Sequence, residues 1–180
     1  MLSVPELPDV VVYVEALEAR LVGATLEKIR LASPFVLRSA EPPIATAQGK
    51  VVRGVRRLGK RIVLELEDDL FLVIHLMIAG RLAWAAKGAK VPGKVGLAAF
   101  DLTTGTLLFR EASTRKRASL HLVRGAAALA DFDRGGLEVE QATLAGFRAV
   151  LARENHTLRR MRGNRYPGRP RPSRTPAPRP

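Results

Sequence analysis

Seven short apolar segments, each bounded by turn signals, constrain the fold of this chain more than any other feature. They are Thr25–Leu31, Val51–Arg57, Ile62–Glu67, Leu70–Leu76, Gly96–Leu102, Thr106–Glu111 and Ser119–Val123, all rich in Val, Ile, Leu and Phe. Leu58-Gly59, Asp68-Asp69, Pro92-Gly93 and Thr104-Gly105 punctuate them. Runs of this length joined by tight turns predict an antiparallel sandwich or barrel. A helix precedes them from Pro8 to Val22, with apolar residues at 10, 14, 17 and 21 on one face. Proline is tolerated in its first turn, Glu15 and Glu18 line one side, and Gly23 is placed to stop it. Thr143 is positioned to cap a second helix, Leu144 to about Glu154.

At 180 residues, 47% of them apolar, the chain is long enough for one core and a short appendage. It contains no uncharged apolar run of ~18 residues, so a membrane span is not expected. The longest apolar stretch, Leu70 to Leu76, is strand-sized and includes His75. Glu6 and Asp9 stand where a secretory signal would carry basic residues. Cysteine is absent, which excludes disulfides and Cys-ligated zinc within this chain. A cytoplasmic, bacterial-type protein is the expectation.

The net charge of +13 is unevenly spread. Eight of the 30 basic residues are arginines between Arg159 and Pro180, a stretch without an acid, which leaves 22 against 17 in the body, a net +5. That moderate excess is compatible with a phosphate-binding face. From Met161 onward the chain is Arg, Pro, Gly and Ser with little apolar material, so a disordered tail over 161–180 is expected. Its residues are those of GC-rich codons, pointing to a frameshift or truncation just after Arg160. The alternative is a natural basic tail that clings to nucleic acid.

Pro5-Glu6-Leu7-Pro8-Asp9-Val10 carries the sharpest chemistry. At a mature N-terminus a proline nitrogen is a free secondary amine, able to attack an electrophilic carbon and form an iminium, and a neighbouring glutamate can move the protons that step requires. An acylated proline nitrogen has no such nucleophilicity, and Met1-Leu2-Ser3-Val4 stands in front. The expectation is that Met1-Leu2-Ser3 is not translated, and that Val4 is an initiating methionine, encoded by GUG and then removed. The bland reading is that Pro5 starts the first helix and Glu6 favours its positive end.

This opening resembles the N-terminal signature of the formamidopyrimidine-DNA glycosylases and endonuclease VIII-like enzymes. Three later segments are similar to that family's motifs in the same order: Val55-Arg56-Arg57-Leu58-Gly59-Lys60-Arg61, His75-Leu76-Met77-Ile78-Ala79-Gly80-Arg81-Leu82, and Glu154-Asn155-His156-Thr157-Leu158-Arg159-Arg160. The resemblance implies a mainly β fold with flanking helices, a two-layer antiparallel β-sandwich with an N-terminal helix, over a catalytic domain at 5–160. It also implies that the family's helical DNA-binding segment and structural zinc finger lie outside this chain, so no metal or cofactor is expected within it.

The resemblance makes Pro5 the nucleophile, Glu6 the proton donor and Lys60 a grip on the phosphate beside the damaged nucleotide. Lys60 belongs to a cationic run with Arg53, Arg56, Arg57 and Arg61, which otherwise reads as solvated charges on a sheet edge. Ile78 aligns with the family's wedge, which fills the void left by an extracted nucleotide; otherwise it is a strand-end core residue. His75 reads as a core or phosphate-contact histidine. Arg115-Lys116-Arg117 stands for a loop in which the family carries an intercalating phenylalanine, here replaced by Ala118 and Ser119. Arg117 and Lys94 are the remaining candidates for strand contact, or else surface charges. The function implied is excision of oxidised purines (formamidopyrimidine, 8-oxoguanine) from damaged double-stranded DNA with abasic-site cleavage. The rivals are a relative preferring oxidised pyrimidines, an inactive DNA-binding remnant, and a basic β-domain associated with RNA.

Overall fold

The computed structural model describes residues 6–133, 143–146 and 148. The chain divides into two units, Met1–Gly136 and Leu137–Pro180.

The first unit opens with helix α1, Leu7–Leu21. Glu6 caps it: the Glu6 N–H donates to Asp9 Oδ2 at 2.8 Å, and the Asp9 N–H donates back to the Glu6 side chain. Two otherwise orphaned amides of the first turn are thereby satisfied. The expected apolar stripe is the buried face. Val10, Leu17 and Leu21 are buried, and Val14 packs against the same core.

All seven expected strands are present, with bounds within one residue of the expectation. They are β1 (Thr25–Leu31), β2 (Lys50–Leu58), β3 (Arg61–Leu66), β4 (Leu70–His75), β6 (Gly96–Leu102), β7 (Gly105–Glu111) and β8 (Ser119–Arg124). An eighth, β5 (Gly80–Ala85), begins within the His75–Leu82 motif and was not among the seven expected. The order is β5-β7-β6-β1-β2-β3-β4-β8, with antiparallel pairing between every neighbouring pair.

β1 and β2 share only two register pairs, Thr25↔Val51 and Leu26↔Lys50, so the sheet hinges there into two four-stranded halves. Leu82, Phe100, Leu107 and Phe109 from one half join Ile62, Leu64, Leu72, Ile74 and Leu120 from the other in one core. Side chains alternate across a strand, so each half contributes its inner face, the layout of a two-layer sandwich. On the outer face of the second half, Val63 and Val73 pack with Leu129 of a short helix, α2 (Ala126–Ala130). The edge strand β8 is covered by residues 37–39: Leu37 bridges Leu120, Arg38 N–H donates to Leu120 O, and Ser39 Oγ accepts from Leu122 N–H.

One polar network sits on the other face of the first half. Arg30 forks onto Asp101 through Nε (2.7 Å) and Nη2 (2.8 Å), and Nη2 also donates to Ala89 O. Thr106, directly opposite Asp101 on β7, donates to Oδ1 at 2.7 Å and accepts from Gly88 N–H. The Arg30 guanidinium, with further help from Thr106, holds the Asp101 carboxyl below the usual carboxylate range against the cost of burial. Three strands and the 86–90 loop are tied at this point.

Among the described residues, no helix is long and apolar enough to cross a membrane. In the second unit, residues 144–146 are helical and Gly146 N–H donates to Thr143 Oγ1 at 3.1 Å, as the expected cap requires. The continuation to Glu154, the Glu154–Arg160 motif and the 161–180 tail lie outside the described residues, as does Pro5.

Candidate functional site

The strand register gathers the sequence-derived candidates at one end of the sandwich. In one half, Leu58 pairs with Arg61, Arg61 with His75, and His75 with Ser119. In the other, Gly80 pairs with Glu111, and Gly96 with Arg110. Residues 76–79 and 112–118 each run from one half to the other, so both sets of strand ends belong to the same end. Among the segments at this end are Gly59-Lys60, the 76–79 turn, the 92–95 loop and the 112–118 loop. Lys60, Ile78, Lys94 and Arg117 each sit on one of these, and His75 closes β4 beside them.

The closest association is between Glu6 and Lys60. Lys60 Nζ donates to Glu6 Oε2 at 2.5 Å, joining residues 54 apart in sequence. Lys60 is held by a two-residue hairpin in which Gly59 takes φ +57 and Lys60 does not, the arrangement that wants glycine first. Glu6 is held by the capping box at the start of α1, which packs along β2. Both side chains are nearly half exposed (42% and 46%), so the pair contributes at most about 1 kcal/mol to stability. Its consequence is positional: an ammonium and a carboxylate face solvent together, and the carboxylate belongs to the residue that follows Pro5 in sequence.

The rest of the cationic run is sorted by the fold. Arg53 pairs with Glu67 and Arg56 with Glu65 across β2 and β3. Arg61 donates to Phe132 O and lies over the Phe132 ring. β2 meets β1 only through Val51 and Lys50, so Arg53, Arg56 and Arg57 stand on the edge strand of their half, as the bland reading has it. Lys60, from the same run, turns its ammonium to Glu6.

Ile78 stands 43% exposed at the crown of the 76–79 turn. Gly80 N–H donates to Leu76 O at 2.9 Å and closes the turn, and Met77 takes φ +56 within it. A Cβ on Gly80 would lie 2.3 Å from Leu76 O, so only glycine fits. Ile78 is therefore not the core residue of the bland reading. Lys94 is exposed on the loop that leads into β6.

Arg117 is also exposed, on a loop organised by a residue the sequence reading did not single out. Glu111 is 1% exposed, and its Oε2 accepts from the N–H groups of Arg117 (2.8 Å) and Ala118 (3.1 Å). The Lys116 ammonium donates to the Glu111 carbonyl. The signal was available: period-two alternation puts Glu111 on the same strand face as Leu107 and Phe109, and a carboxylate there has to find donors.

Comparison with known proteins converges on one family. The family model described as formamidopyrimidine-DNA glycosylase N-terminal domain matches residues 4–120. A formamidopyrimidine-DNA glycosylase of Heliobacterium modesticaldum is 30% identical over 163 residues, covering 86% of this chain and 58% of the relative. That of Corynebacterium jeikeium is 34% identical over 86 residues, covering 47% and 30%. Among solved structures, the Lactococcus lactis Fpg in complex with abasic-site-containing DNA superposes with a TM-score of 0.64 at 27% identity, covering 71% of this chain and 47% of that one. A variant of the same protein in complex with Fapy-dG-containing DNA gives 0.64 at 28%. This chain thus spans from under a third to a little over half of the length of these relatives.

Proposed function

Because this chain belongs to the formamidopyrimidine-DNA glycosylase family through its N-terminal domain, we propose that it serves DNA repair by excising oxidised purines and cleaving the resulting abasic site. The observation that carries the reading is the 2.5 Å contact of Lys60 with Glu6, the residue immediately after Pro5 in the chain. Amine, carboxylate and ammonium are the three groups the reaction needs, and it calls for no metal or organic cofactor.

In this reading the lone pair of a free Pro5 nitrogen attacks C1′ of a flipped nucleotide. The C1′–N bond breaks and the base leaves with the bonding electrons and a proton. The Glu6 carboxylate takes the proton that the attacking Pro5 nitrogen sheds and delivers it to the sugar-ring oxygen as the C1′–O4′ bond opens, giving an iminium at C1′. Loss of a C2′ proton then expels the 3′ phosphate, and a further elimination expels the 5′ phosphate. Water hydrolyses the iminium and restores the amine. Lys60 holds the phosphate next to the reacting sugar, and positioning is its role, since a phosphate contact carries no sequence information. Ile78 fills the space the flipped nucleotide vacates, with His75, Lys94 and Arg117 along the strands. The partner is damaged double-stranded DNA, bound by a monomer.

The test is single-turnover excision by the chain beginning at Pro5, on duplexes carrying formamidopyrimidine, 8-oxoguanine or an oxidised pyrimidine. Release is expected at the two purine lesions with strand cleavage. Faster release at the pyrimidine would make the chain a relative of the other preference. Weak, salt-sensitive binding without release at any lesion would leave a DNA-binding remnant and end the enzyme reading.

A further inference from the structure

Phe35 is the most exposed large apolar side chain among the described residues, at 75%. It occupies the middle of a one-turn 3-10 helix, Pro34–Val36, whose last residue is buried at 2%. Both flanks are pinned. Ala32 and Ser33 N–H both donate to Leu97 O, Leu37 bridges Leu120, and Arg38 N–H donates to Leu120 O. Leu97 and Leu120 are the second residues of β6 and β8, so this segment joins the two halves at the end that carries Lys60, Ile78, Lys94 and Arg117.

Isolated exposed apolar residues are ordinary on protein surfaces. This one differs in three respects: it is aromatic, its backbone is fixed on both sides, and it shares its end with exposed Ile78 and with the cations of the 92–95 and 112–118 loops. A rigid aromatic among cations is the composition of a surface that stacks nucleic-acid bases while holding their phosphates. Its exposed face has no chemical use against an intact duplex, whose bases are already stacked. Next to a nucleotide that has left the helix, a neighbouring base has a bare face.

We infer that Phe35 is a base-stacking residue that contacts an unstacked base beside the flipped nucleotide; the inference rests on the DNA-directed reading of this end given above. The stacking is sequence-blind, because every base offers a π-face, and it favours damaged over intact duplex. It adds no charge, so it leaves the salt dependence of binding untouched.

The test uses the full 180-residue chain and a duplex with a stable tetrahydrofuran abasic-site analogue, so that neither turnover nor a free Pro5 enters. Wild type, F35A and F35W are titrated at several salt concentrations against this duplex and its intact counterpart. F35A is expected to bind the abasic duplex about tenfold more weakly, to bind intact duplex as wild type does, and to keep the same slope of log affinity against log salt. F35W is expected to retain affinity, and its new indole to be quenched by the abasic duplex beyond any change in the half-buried Trp84. Wild-type affinity in F35A, with no quenching in F35W, overturns the stacking role while leaving DNA binding in place. Equal losses on both duplexes reduce Phe35 to a general contact and overturn it as well. Absence of DNA binding by wild type overturns the underlying reading, and this inference with it.

Discussion

Replacing Glu6 by glutamine lowers base excision by about 10²–10⁴-fold, the range for loss of a positioned proton donor, with the fold intact. Glutamine keeps an acceptor for the Asp9 N–H, so the capping box survives. The ion pair with Lys60 is nearly half exposed on both sides, so its loss shifts stability by no more than about 1 kcal/mol. Single-turnover excision by the chain beginning at Pro5, beside a thermal melt, separates the two effects. A fall in rate at constant melting temperature assigns Glu6 to proton transfer. Wild-type excision in E6Q returns Glu6 to the bland reading, a cap on α1 and nothing more.

The largest expected effect on stability lies away from the site. Asp101→Asn removes the charge that the Arg30 fork satisfies and leaves a cation only 29% exposed without its counter-charge. A loss of about 2–4 kcal/mol is expected, the scale for breaking one side of a mostly buried pair. The pH dependence has a definite sign. Asp101 is held below the usual carboxylate range by Arg30 first and Thr106 after it. Its contribution is therefore fully present above the unfolded value, near pH 4, and is lost as pH falls through the lower folded value. Urea denaturation of wild type and D101N should differ by a constant amount between pH 5 and 8, and the gap should close below about pH 4. A gap that persists at low pH would assign the effect to packing rather than charge.

Most of the fold was legible because its strands follow their period. Thr25–Leu31 and Gly96–Leu102 coincide with the sequence reading, and the stripe at 10, 14, 17 and 21 is the packed face of α1. β5 was not legible. Arg81, Ala83 and Ala85 give it neither β-branched residues nor a strong alternation, and it is a strand because Gly80–Ala85 pairs residue for residue with Thr106 to Glu111 of β7. α2 was likewise overlooked, although Ala126–Ala130 is made of good helix formers. At the site, Gly59-Lys60 could be read as a hairpin turn, but its contact with Glu6 depends on α1 folding back along β2, which no local pattern encodes. Phe35 looked like any apolar residue in a loop. Its significance comes from the pinning of its flanks to Leu97 and Leu120, which is a property of the sandwich.

The central claim is that Pro5, when its nitrogen is free, is the nucleophile that Glu6 and Lys60 serve. Two forms of the chain, one beginning at Met1 and one at Pro5, are to be incubated with an abasic-site duplex and borohydride, and the adducts mapped by mass spectrometry. The account predicts a reduced covalent adduct on Pro5 in the second form and none in the first, where that nitrogen is an amide. An adduct of equal yield in both forms, or its location on a lysine such as Lys60, would contradict it.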